Sequence, residues 1–118
     1  MPVLDSGRAE IIGLIGNGLS GTQISGVNIG EDDTAVDKTN DTALGNELDR
    51  EFGLTASQSG DTMSLVATFD NNTGTVREAG MFTDDTDDTQ VTRQIVDAVN
   101  LESSDTLEVT FELQAQDA

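Results

Sequence analysis

Apolar and polar residues alternate along much of the chain, most regularly near its end. There Leu107, Val109, Phe111, Leu113 and Ala115 are interleaved with Glu108, Thr110, Glu112 and Gln114. A period of two puts one set on each face of a strand, so this stretch reads as a strand with a core face and a solvent face. The same pattern predicts a strand over Thr62 to Asp70, with Met63, Leu65, Ala67 and Phe69 inward and Ser64, Val66 and Thr68 outward. Thr75 to Thr83 reads as a strand on which Val76, Glu78, Gly80 and Phe82 share a face, which sets a carboxylate among apolar side chains. Gln90 to Val99, residues 52 to 58, and the run Ile24, Val27 and Ile29 that stops at Gly30 complete the expected strands.

Two stretches keep helical spacing instead. Residues 1 to 20 form a helical or arm segment, with Asp5 or Ser6 as cap and Ala9, Ile12, Ile15 and Leu19 on one stripe. Gly13, Gly16 and Gly18 each cost about 1 kcal/mol inside a helix, which leaves a strand as the alternative there. From Asp41 or Thr42 to Arg50 the spacing of Ala43, Leu44, Glu47 and Leu48 predicts a short helix whose Leu44 and Leu48 face inward. Asn71-Asn72-Thr73-Gly74 reads as a hairpin turn, since Asn and Gly tolerate positive φ. Short strands with turns at hairpin spacing argue for a mainly β chain. The expected fold is an antiparallel, jelly-roll-like β-sandwich with one or two short helices, in one domain over residues 1 to 118.

Charge changes the picture most. There are 23 acidic residues against 5 basic ones, a formal net charge of −18. Such a surface repels nucleic acid and anionic lipid, so neither is expected as a partner. High charge with few aromatics is also a mark of disorder, but disordered segments seldom place apolar residues in phased strand patterns. A salt-loving host accounts for the acidity, because molar salt screens charges beyond about 3 Å. No apolar run reaches the roughly 20 residues of a membrane span, so no membrane insertion is expected, and the start of the chain lacks the basic residues of a signal peptide.

Candidate chemistry is sparse. Histidine and cysteine are both absent, which removes the usual general base and the thiolate metal ligands. Gly13 to Gly18 lacks the Lys-Ser/Thr ending of a phosphate loop. The turn at Asp84, Asp85, Asp87 and Asp88 could ligate Ca2+ through its oxygens, although the EF-hand glycine and closing glutamate are missing; a solvated turn is the other reading. Paired carboxylates follow here from an acidic surface, so an enzyme and a bound cofactor are not expected. Asn40-Asp41-Thr42 and Asn71-Asn72-Thr73 fit the N-glycan acceptor pattern in surface turns.

Four stretches in order carry a resemblance: Ile29 to Asp32, Thr42 to Arg50, Arg77 to Phe82, and Asp105 to Val109. Together they resemble small tail-fibre, collar and baseplate proteins of tailed bacteriophages, from about Ile11 to Leu113. The chain departs from that pattern at Glu31, where glycine is frequent, and at Met81, where leucine stands. The resemblance implies a non-enzymatic virion protein of a tailed virus infecting a salt-loving archaeon, located in the virion beside other virion proteins. A capsid decoration or vertex turret, and a calcium- or sugar-binding β-sandwich module, are the alternatives. Apolar positions on second strand faces, Val66, Val96 and Ala98, lead us to expect a homo-oligomer, a trimer or ring. The resemblance also sets an arginine and a glutamate at Arg50 and Glu78, and a glutamate on an apolar face needs a partner. These two are expected to pair and pin the helix to the sheet, unless Arg77 faces inward instead.

Overall fold

The computed structural model describes residues 3–15, 23–83 and 89–115, with only the backbone at 10 and 12–15. The described chain is mainly β: one helix, α1 (Asp5–Ile15), precedes seven strands. These are β1 (Ile24–Gly30), β2 (Glu47–Glu51), β3 (Ser57–Ser59), β4 (Thr62–Asp70), β5 (Gly74–Thr83), β6 (Gln90–Leu101) and β7 (Thr106–Gln114). They form two antiparallel sheets, one ordered β2-β1-β5-β6 and the other β3-β4-β7. A jelly roll has eight strands, one more than the described residues hold.

The alternation drives the packing of the two sheets. Leu65, Ala67 and Phe69 of β4 and Phe111 of β7 meet Val27 and Ile29 of β1 and Val76, Ala79 and Met81 of β5 in one core. Helix α1 closes one end: the Leu4 amide donates to the Val91 carbonyl, Ser6 Oγ donates to the Gln90 carbonyl at 2.9 Å, and Ile11 packs on the core. Gly7 sits against the Val91 backbone and Ala9 is exposed, so the inward stripe runs through 7 and 11 rather than through Ala9. The rest of the expected stripe lies outside the described side chains.

Three expectations change. First, residues 47 to 51 are a strand, not the end of a helix: β2 pairs with β1, Arg50 opposite Asn28 and Asp49 opposite Ile29. A bulge there places Gly30 opposite Glu47, leaving Leu48 as the extra residue. The bulge brings Glu47 and Arg50 to one side, which imitates helical i,i+3 spacing. Gly45 penalises a helix, and the open edge of β1 offers backbone partners that a lone helical turn lacks. Leu44 is nonetheless buried, in the coil before β2, and Leu48 packs against the core.

Second, residues 52 to 58 form no continuous strand; only Ser57 to Ser59 do, as β3 beside β4. Third, Asn71 to Gly74 is not a hairpin. Strands β4 and β5 lie in different sheets, so the turn carries the chain across the end of the sandwich. Asn71 takes φ 61 and Gly74 φ 151, and Asn72 Nδ2 donates to Asp49 Oδ2 at 2.8 Å, tying the corner to β2.

Candidate functional site

The outer face of the four-stranded sheet is not open to solvent at its centre, because residues 31 to 46 fold over it. The register explains which side chains lie beneath. Ala79 and Met81 face the core, so Glu78, Gly80 and Phe82 face outward; Val76 belongs to the core, and the ladder to β6 is irregular beside it, Arg77 alone separating Val76 from Glu78 where residues 96 to 98 separate their partners Val99 and Ile95. The expected shared face of Val76, Glu78, Gly80 and Phe82 is therefore divided by an irregularity that periodicity does not reveal. Asn28 and Arg93, both paired with Gly80, flank it on the same outer face.

Glu78 is fully buried and its carboxylate is saturated. The amide of Gly45 donates to Oε1 at 2.7 Å, and those of Asn46 and Asp32 donate to Oε2 at 2.8 and 2.9 Å. Arg93 Nε donates to Oε1 at 2.9 Å. The same guanidinium, 2% exposed, donates from Nη1 to Asp41 Oδ2 at 3.1 Å and stands 3.5 Å from Asp32 Oδ2. Burial works against the charge of Arg93, but the bond and charge of Glu78, with those of Asp41, outweigh it and hold the group above its ordinary value.

Beside this pair lies an amide network. Asn28 Nδ2 donates to Glu47 Oε1 at 2.7 Å and to Gln90 Oε1 at 2.9 Å. Gln90 Nε2 returns a bond to Asn28 Oδ1 at 2.9 Å and donates to the Thr92 carbonyl at the same distance. Glycines make room for these groups: a Cβ at Gly30 would meet the Glu78 carboxylate, one at Gly80 the Gln90 amide, and one at Gly26 the Phe82 ring.

The expected partnership of Arg50 and Glu78 does not form. Arg50 bonds Glu47, Nε to Oε2 at 3.0 Å and Nη2 to Oε1 at 2.8 Å, and its guanidinium lies 4.6 Å from the centroid of Phe82. Arg50 is opposite Asn28, while Glu78 is opposite Gly30, so the two side chains belong to different rows of the sheet. The partner of Glu78 is Arg93, not Arg50 or Arg77. The reasoning that a buried glutamate needs an arginine held, and the identity of the arginine depended on strand order. A signal for Arg93 existed in its placement between Val91-Thr92 and Ile95-Val96, an arginine inside a strand-forming run.

The arrangement is a clamp. Its carboxylate and guanidinium are withdrawn from solvent; the carboxylate is engaged on both oxygens and the guanidinium through Nε and Nη1, while Nη2 is buried without a hydrogen bond, 3.5 Å from Asp32 Oδ2, so the pair fastens the loop instead of presenting a reactive group. The acidic turn at Asp84, Asp85, Asp87 and Asp88 lies outside the described residues, and among the described residues no three potential ligands are grouped to hold a metal ion. Asn40 and Asn71 are both exposed, and Asn40 Nδ2 donates to Asp37 Oδ2 at 2.8 Å. Val66 is 46% exposed and Ala98 is exposed, but Val96 packs against the core and does not belong to an outer patch. Among the described residues no helix is long and apolar enough to cross a membrane. Comparison with protein-family models, with curated proteins and with solved structures finds no match.

Proposed function

We propose that this chain is a non-enzymatic structural protein of a virion, a tail, baseplate or fibre component of a tailed virus with a salt-loving host. It assembles as a symmetric trimer or ring and contacts other virion proteins. The observation that supports this reading is the meeting of three resemblance stretches at one carboxylate. Asp32 ends the first stretch, Gly45 and Asn46 lie in the second, and Glu78 belongs to the third; Glu78 accepts from all three amides. An order of short motifs that converges on a buried clamp is what a scaffold requires, whereas a catalytic constellation would keep a group accessible. The net charge of −18 supports the salt-loving host.

The test is immunogold labelling of virus particles with antibodies raised against the folded domain, together with mass spectrometry of purified particles. Gold at the tail or baseplate is the expected result. Gold at capsid faces or vertices would move the assignment to decoration or turret, and absence of the chain from particles would overturn the virion reading. Calorimetric calcium titration in molar potassium chloride separates a calcium-binding module, which would release heat, from the structural protein, which would not.

A further inference from the structure

We propose that residues 33 to 44 form a salt-gated flap, closed over Arg93 in molar salt and open in dilute buffer while both sheets stay packed. The base and the arm of the cover are held very differently. At the base the Glu31 amide donates to the Asn46 carbonyl at 2.9 Å, and fully buried Glu78 accepts from the amides of Asp32, Gly45 and Asn46. This is the closed neck of an Ω-loop. The arm beyond it is held by little. Leu44 is its one buried residue, the Lys38 carbonyl accepts from the Asp5 amide at 3.0 Å, and Asp41 Oδ2 accepts from Arg93 Nη1 at 3.1 Å. Arg93 Nη2 stays buried without a hydrogen bond, so even the closed arm leaves the guanidinium unfinished. A segment with so few buried apolar contacts opens at a lower free energy than the strands beneath it.

The range over which charges act decides which way salt moves the arm. Its contact with Arg93 attracts, and because that guanidinium is buried, salt screens the attraction little. The field of the rest of the molecule repels. The arm carries Asp33, Asp37 and Asp41 against Lys38, a net −2 on a chain of −18. In molar salt exposed charges act over about 3 Å, enough to reach Arg93, whereas at hundredth-molar they act over about 30 Å. The longer range exceeds the radius of gyration of 14.1 Å, so in dilute buffer the arm is repelled by the whole molecule. The sheets do not respond in the same way, because Leu65, Ala67, Phe69 and Phe111 bury the face between them. Opening turns Nη1 and Nη2 of Arg93 to solvent while Glu78 keeps Nε. The flap goes beyond the virion assignment and does not depend on it.

The chain has no cysteine, so spin labels on introduced thiols report from chosen positions alone. One protein carries Thr39→Cys with Thr68→Cys, spanning arm and body, and a second carries Thr68→Cys with Ala98→Cys, spanning the two sheets; all three positions are exposed. Each is diluted with unlabelled protein, so that dipolar distances within one copy are read, and taken from molar to hundredth-molar potassium chloride. The expected result is a longer, broader Thr39 to Thr68 distance in dilute buffer and an unchanged Thr68 to Ala98 distance. Lys38→Gln, which makes the arm more negative, should move the transition to higher salt, and Asp33→Asn should move it to lower salt; both residues are exposed and lie outside the clamp. Three outcomes overturn the flap, whatever immunogold labelling shows about virions. They are both distances changing together, an unchanged Thr39 to Thr68 distance at every salt concentration, and a transition that neither charge variant moves.

Discussion

Arg93 is the side chain on which the outer face of the sheet depends most. Removing one member of a buried ion pair leaves the other uncompensated, so Arg93→Ala and Glu78→Ala should each destabilise by roughly 3–5 kcal/mol. The double variant should lose less than their sum, since both changes delete one interaction. Urea unfolding at fixed molar potassium chloride measures all three. Arg50→Ala, which loses a half-exposed pair with Glu47 and a stack on Phe82, should cost about 1 kcal/mol and should not couple to Glu78. The residue scale also sets a pH dependence. The Thr34 hydroxyl, then the Thr34 amide, hold the Asp32 carboxyl below its ordinary value, and the Asn40 side chain does the same for Asp37. The unfolded chain therefore takes up these protons first as pH falls. The stability they contribute is present above about pH 4 and is lost as pH drops through the lower folded values. Replacing Thr34 and Asn40 by alanine should flatten the acid limb of an unfolding curve recorded between pH 5 and pH 2, and an unchanged limb would show that other carboxylates set it.

At the scale of elements, the segment from 31 to 46 is a cover fastened from below. It has no regular secondary structure, yet the amides of Asp32, Gly45 and Asn46 are bonded to a buried carboxylate. Those amides should exchange with solvent far more slowly than Ala35 or Thr42 in the same segment, and Glu78→Gln should accelerate them selectively. Leu44 anchors the cover by its apolar end. Leu44→Ala should cost about 2–5 kcal/mol, as for a buried leucine, and should loosen β2 before β4 or β7 in hydrogen exchange. Gly30 is the tight point beneath, since a Cβ there meets the Glu78 carboxylate and the Asn46 carbonyl. Gly30→Ala should lower stability by about 1–3 kcal/mol.

For the whole molecule, salt is the governing variable. A net charge of −18 on a domain whose core draws on two small sheets leaves little stability to set against self-repulsion in dilute buffer. The thermal midpoint should rise steadily from dilute to molar potassium chloride, and copy–copy association should rise with it, since each copy carries the same sign of charge. A midpoint independent of salt would remove the basis for the salt-loving host.

Features that depend on local periodicity and on total charge can be read along the chain. Strands β4, β5 and β7 and the end of β1 at Gly30 were legible, because alternation is a property of neighbours along one chain and burial of one face follows from it. That a glutamate sharing a strand face with Phe82 would need a cation was legible too; its burial was not, because Glu78 lies on the outer face and is covered by residues 31 to 46. Which cation it finds was not. Arg77 and Arg93 both lie inside strand-forming runs, so local pattern does not choose between them, and the choice follows from β5 lying between β1 and β6, with a register that brings Arg93 alongside the carboxylate. The strand at 47 to 51 was decided in the same way, by an open edge of β1 too distant in sequence to leave a local trace. The bulge at Leu48 then reproduced helical spacing in an extended chain. The turn at Asn71 to Gly74 carries the same residues whether it joins neighbours in one sheet or crosses between two. That it crosses is set by how the flanking strands pair, β4 with β3 and β7 in one sheet and β5 with β1 and β6 in the other, a relation between elements distant in sequence.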